Sequence, residues 1–222
     1  YFCTPGNPQG AVADLAYLEN LVALSRKYDF TLVVDECYAA IYNGDPPPGT
    51  LQVCAAQNDD MSGILVFHSL SKRSNVAGLR SGFVAGDGEM LMLFRRLSEY
   101  GGSPSPLPVY AAATALWQDE DHVIANRALY GEKFDLAERI LSNRFGFYRP
   151  QGGFFLWLDV GDGEAATKEL WARAAIRVLP GSYLSADDGI HDNPGRRYIR
   201  VAMVHDKAVM EDALARISDT LS

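Results

Sequence analysis

"GILVFHSLSKRSNVAGLR" occupies residues 63–80, and its reading decides the fold. The first half, Ile64 to His68, is an apolar run of strand length bounded by Gly63 and by serines. A run without alternation is what a strand buried in a parallel sheet requires. The second half sets Lys72 directly behind that strand, between Ser69 and Ser71 on one side and Arg80 on the other. In open α/β sheets, ligands bind beyond the carboxyl ends of the strands. Hydroxyls and a guanidinium in that place suit a phosphate. A lysine there that is desolvated, or close to positive charge, suits Schiff-base chemistry.

Working outward, "FTLVVDE" at residues 30–36 predicts a second buried strand, ending in Asp35. Before it, residues 13–29 carry Leu15, Leu18, Leu21, Val22 and Leu24 at helical spacing, with Asp14 placed to cap. Behind the opening stretch, "LRSGFVAGDG" predicts a third strand thinned by Gly82 and Gly86, and "EMLMLFRRLSEY" a helix. The order is strand, helix, strand, helix, strand, strand, helix, which predicts a covered, mostly parallel α/β sheet. "GGSPSPLP" at residues 101–108 interrupts it with turn chemistry. Residues 109–145 then read as long helix with a break near residues 117–121. "GFFLWLDV", "EAATKELWARAA", "IRVLPG", "RYIRVAMV" and "DKAVMEDALARISDTL" predict strand, helix, strand, strand, helix, a smaller α+β domain. The expected division is residues 1–120 and 121–222.

Composition excludes several functions. The 222 residues carry a net charge of -8, which disfavours nucleic acid, whose binding rests on basic patches. No apolar run reaches the length of a membrane span. Cys3, Cys37 and Cys54 are odd in number and lack C-x-x-C spacing, so free thiols in a reducing cytoplasm are expected. His68, His122, His191 and His205 are scattered, and no metal site is expected. Neither "GDG" opens a G-x-G-x-x-G run, which argues against a dinucleotide. Tyr1 to Cys3 read as the end of a strand already under way, so the sequence is expected to be the C-terminal part of a longer protein.

Two further stretches complete a constellation. Asp35 and Tyr38 follow the strand "TLVVDE"; a carboxylate there suits a protonated ring nitrogen, and the phenol a ring hydroxyl. "NPQG" places Asn7 in a proline turn. Each is weak alone. In this order, N-P-x-G, D-x-x-Y, S-x-S-K and an arginine eight residues past the lysine resemble the class I/II pyridoxal-phosphate aminotransferases of fold type I. "RYIRVA" is similar to their strand carrying the arginine that grips the substrate's α-carboxylate. The wording "CTPGNPQGAV", "DECYAAIY", "VFHSLSKRSNVAGLRSGFVAGD" and "VLPGSYL" resembles, within that family, the members serving the lysine and diaminopimelate route.

The resemblance implies a three-layer, mostly parallel sheet of the large domain, incomplete here, followed by a smaller α+β C-terminal domain. It implies pyridoxal 5'-phosphate as cofactor. Lys72 would bond its aldehyde and move the substrate's α-proton. Asp35 would face the pyridine nitrogen, Asn7 and Tyr38 the ring hydroxyl, and Ser69, Ser71 and Arg80 the phosphate. Arg200 would clamp the substrate carboxylate, and the Asn7–Pro8 bond would be cis. Small amino acids and 2-oxo acids are the implied partners, in a cytoplasmic homodimer. A carbon–sulfur β-lyase, or an aminotransferase for aromatic or aspartate-type substrates, shares the same cradle; the alternative from another class is an aminotransferase-like ligand sensor fused to a DNA-binding domain.

Overall fold

A computed structural model describes residues 1–102, 105–186 and 192–221. His191, and Ser103 and Pro104 of the expected interruption, lie outside the described residues. The chain forms two compact units. The first holds residues 1–6, 11–127 and 151–153, and the second residues 7–10, 128–150 and 154–222.

The first unit is built on a four-stranded sheet, in spatial order β1 (Phe2–Cys3), β2 (Leu32–Asp35), β3 (Ile64–Ser69), β4 (Gly82–Gly86). The first three strands are parallel and β4 runs antiparallel to β3. α1 (Leu15–Tyr28) starts where the sequence predicts: Asp14 accepts from the Tyr17 amide at 2.8 Å. It ends at Asp29, whose φ of 52° is left-handed. α2 (Thr50–Ala56) precedes β3. Leu18 and Val22 of α1, Val53 and Cys54 of α2, and Leu32, Val34, Ile64 and Val66 of the sheet form one core.

The unbroken apolar runs predict cover on both faces, but burial alternates along β2 and β3. The face of Leu32, Val34, Ile64 and Val66 is sealed, whereas Val33 and Leu65 opposite are half-buried. The reason is α4 (Gly88–Gly101), which buries none of its own residues and exposes Met92, Leu93, Leu97 and Tyr100.

The glycines of β4 have a steric cause. A methyl group at Gly82 would sit 2.3 Å from the His68 carbonyl oxygen, and one at Gly86 (φ 135°) 2.0 Å from that of Ile64. Only glycine lets β4 pair so closely with β3.

A one-turn helix, α3 (Leu70–Arg73), follows β3. α5 (Leu107–Gln118) and α6 (Asp121–Leu141) account for the long helical region, with its break at Asp119 and Glu120. The units part within α6, between Arg127 and Ala128.

In the second unit, β5 (Phe155–Asp159), β6 (Leu179–Pro180) and β7 (Tyr198–Ala202) make an antiparallel sheet in the order β5-β7-β6. α7 (Gly163–Ala174) and α8 (Lys207–Thr220) pack on each other. Phe154 stacks on Tyr130, and Trp157 on Tyr198 with ring planes 8° apart, so the aromatics of "GFFLWL" pack this unit. Alternation in β7 buries Ile199 and Val201 and leaves Arg200 half-exposed.

Candidate active site

Asp35 is the last residue of β2 and is half-buried. Burial works against its charge. Hydrogen bonds from Cys37 and Tyr1 outweigh that, and the carboxyl is held below the ordinary carboxylate range. The Cys37 amide donates to Oδ1 at 3.0 Å and the Tyr1 hydroxyl to Oδ2 at 2.5 Å. Burial, and then Asp35, push the Cys37 thiol up to about 12. Asp35 is therefore an ionised acceptor at a strand's carboxyl end. Tyr38, nearly buried, follows in the turn after β2.

The serines and Arg80 come together. Ser69 caps α3: its Oγ accepts from the Ser71 amide at 3.1 Å and donates to the Ser81 carbonyl at 3.4 Å. Arg80 has a left-handed backbone, with φ of 52°, and its Nη1 donates to the Ala77 carbonyl at 2.9 Å. Ser69, Ser71 and Arg80 line one cleft of about 370 Å³, walled by Cys37, Phe67 and Phe83. Asp35, Tyr38 and Lys72 are not among its lining residues. Lys72 is half-buried within α3, one residue past Ser71.

Asn7 and Arg200 belong to the second unit, and they meet. Arg200 Nη1 donates to Asn7 Oδ1 at 2.8 Å, and the guanidinium lies 4.3 Å from the centre of the Phe155 ring. A neutral amide and a ring face are thus among the contacts of this arginine in an apolar strand. The Asn7–Pro8 bond is cis, as expected, and so is Thr4–Pro5, which was not expected.

Several participants were not read from the sequence. Tyr1 and Cys37 hold Asp35. Glu36, 5% exposed, accepts from the Thr50 amide at 2.7 Å and pairs with His68 Nε2 at 3.2 Å. A buried carboxylate beside Asp35 looks in sequence like one more strand-end charge. Cys3, Cys37 and Cys54 are free thiols, and no metal-binding cluster occurs among the described residues. No helix of the described residues is long and apolar enough to cross a membrane.

Known proteins resemble the chain over nearly its whole length. The family model "Aminotransferase class I and II" matches residues 1–217. The 4-dedimethylamino-4-oxo-anhydrotetracycline transaminase OxyQ of Streptomyces rimosus is 32% identical over 97% of the chain and 58% of its own length. The crystal structure of an aminotransferase from Neisseria meningitidis superposes with a TM-score of 0.92 at 45% identity, covering 100% of this chain and 57% of that one. A probable N-succinyldiaminopimelate aminotransferase from Thermus thermophilus superposes with a TM-score of 0.86 at 26% identity, over 99% and 57%. The chain thus spans little more than half the length of the relatives it matches.

Proposed function

The chain belongs to the class I and II aminotransferases, and from that premise we propose that it transfers an amino group between N-succinyl-LL-2,6-diaminopimelate and 2-oxoglutarate with pyridoxal 5'-phosphate. The observation that carries the reaction type is the shared cleft of Ser69, Ser71 and Arg80, adjoining the turn that holds Lys72. The name of the Thermus relative supports the substrate, with the sequence wording. The name of the Streptomyces relative supports a second reading, a different amino donor on the same cradle.

The residues present fit the cofactor. Two hydroxyls and a guanidinium are a donor set for a phosphate. An ionised Asp35, hydrogen-bonded at both oxygens, is an acceptor for a protonated ring nitrogen. Asn7 and Tyr38 would supply contacts to the ring hydroxyl. When bound, the cofactor supplies an electron sink for the substrate's α-carbon. Lys72 Nζ would hold the cofactor by its aldehyde, then take the proton from that carbon and return it. Arg200 would fix the substrate carboxylate with its planar fork, already oriented by Asn7 and Phe155. The same reading includes a cytoplasmic homodimer. The apolar face of α4 supports the dimer, since such patches mark contact surfaces.

The test is borohydride reduction of the protein with added cofactor, followed by peptide mass spectrometry. The label is expected on Lys72 alone, and Lys72→Ala should lose both label and transamination. Label on another lysine would overturn the assignment.

A further inference from the structure

Lys72 sits in a helix of one turn. A helix that short does not hold itself, so its direction is set by whatever grips its two ends. The N-terminal end is gripped by the residue just before β4: the Leu70 amide and Ser69 Oγ both donate to the Ser81 carbonyl, and Leu70 is fully buried.

The C-terminal end is held elsewhere. The three residues after Lys72 are each bonded to one place, the elbow between α5 and α6. Arg73, 8% exposed, donates to the Leu116 carbonyl at 2.6 Å and the Asp119 carbonyl at 3.4 Å. It also pairs with Glu120 and lies 5.1 Å over the Trp117 ring. Ser74 Oγ is 2.8 Å from His122 Nε2, whose Nδ1 is 2.7 Å from Asp119 Oδ2. Asn75 Nδ2 donates to Asn126 Oδ1 at 2.8 Å. Asp119 ends α5, and its Oδ1 accepts from the Asp121 amide at the start of α6.

Building on the role of Lys72 above, we propose that this elbow is a latch that aims Lys72, with Arg73, Ser74 and His122 as positioning residues for proton transfer. Proton transfer needs the amine within hydrogen-bond reach of its target, and a misplacement of about 1 Å can cost 10²-fold in rate. A lysine stem is long and flexible, so a rocking α3 would add to the error at Nζ. The latch also shares a frame with the other end of α3. Trp117 meets Phe83 of β4 edge-on at 4.9 Å, and Phe83 stacks on His68 of β3 at 4.9 Å.

The relay holds in either protonation state of His122. Neutral, with its proton on Nδ1, the ring accepts from Ser74 and donates to Asp119; charged, it donates to both. The order Ser–His–Asp is also that of a hydrolytic triad. Here, however, the serine closes the helix that carries Lys72, and Asp119 is exposed rather than buried behind the imidazole.

The test uses the complete protein with pyridoxal phosphate bound, as wild type, Ser74→Ala, Ser74→Thr and His122→Ala. Ser74→Ala and His122→Ala should each lower kcat on the order of tenfold, the worth of one hydrogen bond, with KM for the amino donor unchanged. Amide exchange at residues 71–75, measured without cofactor, should quicken by a similar factor. Ser74→Thr keeps a hydroxyl and should recover both. With the borohydride label still on Lys72, unchanged kcat and exchange in the alanine variants would overturn the latch alone. So would faster exchange spread over the whole first unit, the mark of a merely structural role. Label on another lysine would remove the latch together with the reading of Lys72.

Discussion

Replacing Arg200 by lysine keeps the positive charge and removes the fork. The guanidinium donates to Asn7 Oδ1 at 2.8 Å while lying 4.3 Å over the Phe155 ring. One planar group thus donates to Asn7, rests a face on Phe155 and, in the proposed role, grips a carboxylate. An ammonium is a single point and does not meet all three demands. The loss is one charge-assisted hydrogen bond, about 1.5–3 kcal/mol, and part of a cation–π contact, about 0.5–1 kcal/mol. Together, about 2–4 kcal/mol of transition-state binding corresponds to kcat/KM lower by roughly 30- to 900-fold. The assay is steady-state transamination with varied amino donor, beside a cofactor titration followed by absorbance. Cofactor binding should survive, because the proposed phosphate and ring-nitrogen contacts are kept and only Asn7, assigned to the ring hydroxyl, loses a partner. A double-mutant cycle with Asn7→Ala should show coupling of about 0.5–3 kcal/mol, as expected for groups in direct contact. If kcat/KM in Arg200→Lys stays within about threefold of wild type, less than one hydrogen bond is lost and Arg200 does not grip substrate.

Two predictions concern the sheet. The Asp35 carboxyl ionises more readily in the native protein than in the unfolded chain, so its stabilisation is present above the unfolded value of about 3.9 and fades as pH falls through the native one. Wild type should therefore lose melting temperature more steeply below about pH 4 than Asp35→Asn, and parallel curves would refute the sign of the shift. Gly86→Ala places a methyl 2.0 Å from the Ile64 oxygen at a φ of 135°, where Gly78→Ala meets nothing within 4 Å. The first should cost about 3 kcal/mol or more and the second under about 0.5 kcal/mol in urea unfolding; equal midpoints would show that β4 relaxes away from β3.

Local features were the legible ones. Helix α1 and its Asp14 cap, the β2 and β3 strands, the break before α6 and the small-domain elements all follow from periodicity and capping chemistry within a few residues of chain. The antiparallel direction of β4 was not legible, because an apolar run has no sense of direction. A helix between β2 and β3 was in the expected order but had no residues assigned to it; it is α2, seven residues behind a proline loop, whose Thr50 amide is satisfied by Glu36, a residue 14 positions earlier.

The candidate site divides the same way. The positions of Lys72, Asp35, Ser69 and Arg80 relative to strand ends were legible, because strand ends can be read. What grips them was not. Arg73 drew no reading at all, and His122 was one of four scattered histidines, because the partners that join them to the elbow lie 43 to 48 positions away. The Arg200–Asn7 pair is the extreme case, with 193 positions between the partners. Sequence spacing names a residue's chemistry but not the contact that aims it. A buried or half-buried charge still has to be satisfied, as Arg73, Glu36 and Arg200 all are. In this chain that demand is visible in the sequence at Arg200, flanked by Ile199 and Val201, whereas Arg73 and Glu36 have polar neighbours and only their burial in the fold reveals it.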